Sequence, residues 1–152
     1  MIIIAKYFYL VIVLLGVIFV ATKFIQKEKG VAMFSIITLP LILIIAKISG
    51  IIYYDPRPFV VRHFIPLVAH AADNGFPSDH ALLSFAIASV IFVYNKKIGL
   101  ILFLAGFLVG ISRIYVGIHS IIDIMGSFVI SVAVTYLVYL VLKKYPLVPI
   151  EK

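Results

Sequence analysis

Five stretches of this chain are apolar for long enough to cross a bilayer, over residues 2–22, 31–54, 80–94, 98–115 and 120–142. A spanning helix needs about 20 such residues. Helices are the expected form, because an open sheet in lipid would leave backbone N–H and C=O groups unpaired. The chain is 64% hydrophobic and 12% charged, whereas a soluble domain carries about 25% charged residues. No water-soluble core absorbs that excess. The expectation is therefore an all-α, polytopic membrane helical bundle of about five transmembrane helices, a single domain over 1–152. The first stretch lacks a basic start and a small-residue cleavage site, so it is expected to stay as an anchor. There is no cysteine, hence no disulfide framework and no thiol chemistry. There is no internal repeat.

The lysines set an expected topology. Lys23, Lys27 and Lys29 fall between the first two stretches, Lys96 and Lys97 between the third and fourth, and Lys143 and Lys144 after the fifth. With five spans drawn, all three clusters share one side, and the positive-inside rule makes that side cytoplasmic. Lys6 is a minor exception on the outer side. The C-terminus is then cytoplasmic, the N-terminus is outside, and the connections 55–79 and 112–119 face out. This pattern predicts a multi-pass protein of the cell (plasma) membrane. It also argues against a nucleic-acid partner, since the basic residues lie between apolar runs rather than in one patch.

Three polar motifs interrupt the apolar sequence: Asp55-Pro56-Arg57-Pro58, Pro77-Ser78-Asp79-His80, and Ser112-Arg113 followed by His119 and Asp123. Charged groups in or beside membrane segments are costly and mark functional sites by default. All three motifs fall on the expected extracytoplasmic face. His80 lies 16 residues before Lys96, and Arg113 lies 16 residues after Lys97. At about 1.5 Å per residue both stand roughly 24 Å above the cytoplasmic anchor, so they are predicted to meet at one height. His119 and Asp123, at i,i+4, share a helix face. A carboxylate on one ring nitrogen leaves the other free as a nucleophile toward phosphorus. His80, at a helix start, is placed to act as a general acid. Arg57 and Arg113 offer planar forks that match phosphate oxygens. Ser78 and the amides beside it open a helix, a ready anion site. The His119–Asp123 pair also fits a buried structural pair. It has the spacing of a zinc pair too, although two nearby arginines would repel a cation.

The motif Pro-Ser-x-His at 77–80, and Ser112-Arg113 with His119 and Asp123 at their spacings, resemble the type-two phosphatidic acid phosphatase superfamily. The resemblance covers residues 44–126. Within that family, Tyr54-Asp-Pro-Arg-Pro-Phe59, His70-Ala-Ala-Asp73 and Phe76-Pro-Ser-Asp-His80 look like the bacitracin-resistance branch, the undecaprenyl-diphosphate phosphatases. The resemblance implies a phosphatidic acid phosphatase/haloperoxidase-like core and a phosphatase that needs no metal and no cofactor. It implies His119 as nucleophile through a phosphohistidine, Asp123 as its partner and His80 as acid, with Arg57, Ser78, Asp79 and Arg113 around the phosphate. The implied partner is a polyprenyl or other lipid phosphate in the bilayer, foremost undecaprenyl diphosphate. The other substrates it leaves open are phosphatidic acid, phosphatidylglycerol phosphate and a lipid A phosphate. A non-catalytic lipid-binding protein with the same fold is the reading from another class.

Two positions depart from the family pattern. Where the family has a lysine seven residues before its arginine, this chain has Gly50, and the nearest cation is Lys47, about one turn earlier. Where a proline often follows the nucleophilic histidine by two, this chain has Ile121. The family core commonly has six spans, so the one missing here is expected to be N-terminal and peripheral.

Overall fold

The structure is a computed structural model and describes residues 1–145. Its regular elements are all helical. A π-helical turn, Ile4–Phe8, leads into α1, Tyr9–Ile25. There follow α2 (Lys29–Ile52), the single turn α3 (Pro58–Val61), α4 (Asp79–Tyr94), α5 (Lys96–Tyr115) and α6 (Ile121–Leu142). Four helices are long and apolar enough to cross a membrane: Ile4–Ile25, α2, α5 and α6. The remaining long helix, α4, has only 16 residues, roughly 24 Å against a hydrocarbon core of about 30 Å. It stands at the third expected span and begins at the wall of a cavity, with Asp79 and His80 on its lining. The C-terminus, expected on the cytoplasmic side, lies outside the described residues.

α4 is the axis of the bundle and packs against α1, α2, α5 and α6. Accordingly, an unbroken run from Ser84 to Ile91 is buried. Apolar association is weak between helices in lipid, so close packing and interhelical hydrogen bonds hold such bundles together. Both occur here. Ser127 Oγ donates to the Ser78 carbonyl (3.1 Å) and Ser131 Oγ to the Leu82 carbonyl (3.2 Å), which ties α6 to α4. Phe85 of α4 sits among Phe103, Phe107 and Phe128, with ring centroids 6.3, 4.9 and 5.3 Å away. The outer surfaces stay apolar, as at Leu14, Ile36, Leu104 and Leu137, which suits a lipid environment.

Local chemistry sets the helix ends. α5 starts at Lys96, two residues before the apolar stretch, because the Asn95 side chain caps it and accepts from Ile98 N–H at 3.0 Å. α6 starts after Ser120, which forms a capping box with Asp123. The 53–78 connection, with its prolines, carries only the single turn α3.

Candidate functional site

The connection between α2 and α4 is shaped by one side chain, Asn74. Its amide donates to the carbonyls of Gly50 (2.7 Å) and Tyr53 (3.0 Å), capping the end of α2. Its Oδ1 accepts from the N–H groups of Asp55 (2.9 Å) and Phe76 (3.0 Å). The loop is thereby drawn against α2 so closely that a Cβ at Gly50 would stand 2.9 Å from the Phe76 carbonyl oxygen. From the other side, Ser120 Oγ donates to Asp55 Oδ2 at 2.7 Å, stitching the same loop to the start of α6.

These links close a cavity of about 370 Å³ whose wall includes Lys47, Arg57, His70, Asp79, His80, Arg113 and His119. Six of the eight residues expected from sequence therefore line one space. A seventh, Asp123, lies directly behind His119 and is fully buried. The eighth, Ser78, is fully buried at the first turn of α4 and does not line the cavity. Its hydroxyl has no hydrogen-bond partner among the described residues, and its N–H donates to the Asp123 carbonyl at 3.4 Å. His80 and Arg113 line the same cavity, in keeping with their equal spacing from the lysine anchors.

The histidine is held in one orientation. Asp123 Oδ2 accepts from both the Ser120 N–H (2.8 Å) and His119 Nδ1 (3.1 Å). With the proton on Nδ1, Nε2 is left with a lone pair toward the cavity, 3.4 Å from Arg57 Nη1. Burial is the largest influence on His119 and lowers its proton affinity below the ordinary histidine value; the Asp123 hydrogen bond opposes this, and Arg113 and Arg57 reinforce it. The imidazole is thus neutral at pH 7.

Arg57 is 5% exposed and is fixed on three sides. Its Nε donates to Asp73 Oδ1 at 2.7 Å, Nη1 to the Ile118 carbonyl at 2.9 Å, and Nη2 to the Asn74 carbonyl at 3.3 Å. The hydrogen bond from Arg57 holds the Asp73 carboxyl below its usual range. Arg113 is 3% exposed and donates from Nη1 to the Ala5 carbonyl (3.1 Å) in the π-helical turn. The N-terminal segment thus braces this guanidinium. His80 packs edge-on against Tyr9, with centroids 4.2 Å apart. His70 lies 3.9 Å from Asp73, and burial followed by Arg57 lowers its proton affinity.

Asn74, Ser120 and the Ala5 carbonyl are additions to the residues singled out from sequence. Signals existed for two of them. Asp73-Asn74-Gly75 is turn-forming chemistry, and Ser120 three residues before an acidic residue marks a helix start. Ser112, in contrast, stays out of the cavity and bonds back to the Val109 carbonyl at 2.6 Å. Two guanidinium groups, one ammonium and a neutral imidazole around one space make a receptor for an anion with a nucleophile at its wall.

A family model described as the PAP2 superfamily matches residues 6–146. The chain is 40% identical over 97 residues to undecaprenyl-diphosphatase BcrC of Bacillus subtilis (strain 168), covering 64% of this chain and 50% of that protein. It is 34% identical over 107 residues to the bacitracin transport permease protein BcrC of Bacillus licheniformis, covering 70% and 53%. The chain thus spans about half the length of these curated relatives. Its fold is shared with the crystal structure of a transmembrane PAP2-type phosphatidylglycerolphosphate phosphatase from Bacillus subtilis. That match has a TM-score of 0.69 and 24% identity, over 87% of this chain and 69% of that one.

Proposed function

The chain belongs to the PAP2 superfamily, and from that premise we propose that it is a multi-pass membrane lipid phosphatase whose leading substrate is undecaprenyl diphosphate. The observation that carries the reading is the His119–Asp123 pair, with Nε2 aimed into a cavity walled by Arg57, Arg113 and Lys47. The name of the 40% identical relative supports the prenyl diphosphate as substrate.

In the proposed reaction the terminal phosphate enters the cavity and takes up the free donors of Arg57 and Arg113. His119 Nε2 attacks phosphorus, an N–P bond forms, and the anhydride P–O bond breaks. The departing oxygen leaves on the lipid monophosphate, with His80 placed to supply a proton. Asp123 stabilises the positive charge that develops on the imidazole. Water then attacks the phosphohistidine and gives its proton to His80, the N–P bond breaks, and inorganic phosphate leaves with His119 and His80 both restored. Phosphoryl transfer depends mainly on positioning and charge stabilisation, which fixed guanidinium groups provide. The lysine clusters between and after the helices support an extracytoplasmic position for the cavity by the positive-inside rule.

Lys47 stands in for the lysine that Gly50 replaces. The Phe76 carbonyl fills the space beside Gly50, so no side chain fits there, whereas Lys47 reaches the cavity from one turn below.

The test is phosphate release from undecaprenyl diphosphate in EDTA by purified protein, wild type beside His119→Ala, with phosphatidic acid and phosphatidylglycerol phosphate in parallel. Release by the wild type alone, fastest on the prenyl diphosphate, is expected. Equal release by the variant would overturn the role of His119, and faster turnover of a glycerolipid would overturn the substrate.

A further inference from the structure

Asp55 opens the first polar motif, yet it takes no part in the proposed reaction and does not line the catalytic cavity. Its backbone is paired on both sides. The N–H donates to Asn74 Oδ1 at 2.9 Å, and the carbonyl accepts from the Gly75 N–H at 2.8 Å. These bonds hold residue 55 against residues 74 and 75 whatever its side chain is. The carboxylate has a different contact: Oδ2 accepts from Ser120 Oγ at 2.7 Å.

That contact stands next to the nucleophile. A serine hydroxyl has one proton to donate and two lone pairs. With the proton given to Asp55, the oxygen is left to accept, and the Asp123 N–H donates to it at 3.3 Å. The Ser120 N–H in turn donates to Asp123 Oδ2, which also holds His119 Nδ1. Two residues further along the loop, Arg57 Nη1 donates to the Ile118 carbonyl at 2.9 Å. Residues 55 and 57 thus grip the chain at 118 and 120, and His119 lies between the two grips. α6 begins at Ile121 rather than at a proline whose ring would preset its first turn. The placement of this helix start therefore rests on Ser120 and its partners.

Gly75 completes the support. A Cβ there would stand 2.9 Å from Asp123 Oδ2 and 3.1 Å from the Asp55 carbonyl oxygen. With no side chain at 75, the loop backbone reaches the one oxygen that accepts both the Ser120 N–H and His119 Nδ1, and leaves it no room on the loop side.

We propose that Asp55 is a positioning residue for the nucleophile. Through the Ser120 hydroxyl it fixes the capping box of α6 and, with it, the Asp123 carboxylate that sets the tautomer and direction of His119. The inference deepens the phosphatase reading and rests on it for the role of His119. What it requires at 55 is a hydrogen-bond acceptor and not a charge, because Asp55 lies outside the phosphate cavity. Placement of this kind is steep in its effect: a shift of about 1 Å in a reacting group costs about 100-fold in rate.

The test compares Asp55→Ala, Asp55→Asn and Ser120→Ala in the full chain purified in detergent. It reads phosphate release from undecaprenyl diphosphate, the midpoint of thermal unfolding, and nitrogen NMR of isotope-labelled histidine, in which the His119 signal is the one missing from His119→Ala. Asp55→Ala and Ser120→Ala should each lower kcat about 10- to 100-fold, leave KM nearly unchanged, and turn the single Nδ1-protonated signal of His119 into a mixture of tautomers. The double variant should be no slower than either single one, because both remove the same interaction. Asp55→Asn keeps an acceptor for the Ser120 hydroxyl and should restore most of the rate and the single signal. Gly75→Ala displaces Asp123 Oδ2 while leaving Asp55 and Ser120 in place, and should give the same mixed signal. A loss expressed in KM, an asparagine variant as slow as the alanine one, or a lowered midpoint with unchanged kcat and His119 signal would each overturn the proposal. An inactive wild type would sink the phosphatase reading instead, and the His119 signal alone would then decide the role of Asp55.

Discussion

Replacing Asp123 by asparagine tests how the nucleophile is held. A single oxygen, Oδ2, accepts both the Ser120 N–H at 2.8 Å and His119 Nδ1 at 3.1 Å, while Oδ1 is buried without a partner among the described residues. Asparagine can therefore place its carbonyl oxygen where Oδ2 stands and keep both bonds, with its NH₂ at the position of Oδ1. The histidine tautomer survives, and what is lost is the negative charge. Hydrogen bonds to charged groups exceed neutral ones by about 1–2 kcal/mol, which is about 5- to 30-fold in rate. The thermal midpoint should stay near that of the wild type, because one unpartnered atom replaces another. Asp123→Ala removes the oxygen altogether. It costs the capping box about 1 kcal/mol and frees the imidazole to rotate and to carry its proton on Nε2. A mis-set tautomer costs a histidine-dependent enzyme on the order of 10⁴-fold. The assay is steady-state phosphate release with a parallel unfolding curve for each variant. Asp123→Asn as inactive as Asp123→Ala, yet equally folded, would refute the single-oxygen argument. Wild-type turnover in Asp123→Asn would show that the charge contributes nothing.

Three further outcomes are expected. Lys47→Ala removes a charged contact to phosphate, about 1.5–3 kcal/mol, and should lower kcat/KM by about 10- to 150-fold; adding Gly50→Lys to it should not restore activity, because the Phe76 carbonyl occupies that space, and rescue would sink the reading of Gly50. His119 must be unprotonated to attack, and burial with the two arginines lowers its proton affinity from the ordinary 6.5. The acid limb of the kcat/KM profile should therefore have its midpoint below 6.5, and lower still in Asp123→Asn, which lacks the charge that raises the value. A midpoint above 6.5 would contradict this. Asn74→Ala deletes four hydrogen bonds, at about 1 kcal/mol each, and should lower the unfolding midpoint by several degrees together with activity. An unchanged midpoint would show that the loop is held elsewhere.

The helical membrane architecture was legible because lipid leaves the backbone few choices, and long apolar runs state that choice openly. The candidate constellation was legible because charge in such a background stands out. His80, Arg113, His119 and Asp123 needed only helix rise and i,i+4 spacing to be brought together. What the sequence concealed were contacts with no periodic signature. Ala5 supplies a backbone carbonyl to Arg113 from 108 residues away, and no residue type announces a carbonyl. Asn74 reads as an ordinary turn residue until its four partners are seen. The shortness of α4 was visible as a 15-residue stretch in 80–94, but its meaning was not, since a short apolar run looks the same whether it spans lipid or ends inside a bundle.

Gly50 joins these two kinds of information. From the sequence it is a missing lysine and so evidence against catalysis. In the structure it is the point where α2 admits the Phe76 carbonyl, and the loop that profits leads through Ser78 into Asp79 and His80 at the start of α4. A lysine at 50 would have to push that loop, and the start of α4 with it, away from His119. On the proposed reading the absent cation and the close packing are one adjustment, with Lys47, already on the cavity wall beside Arg57 and Arg113, supplying the third positive charge.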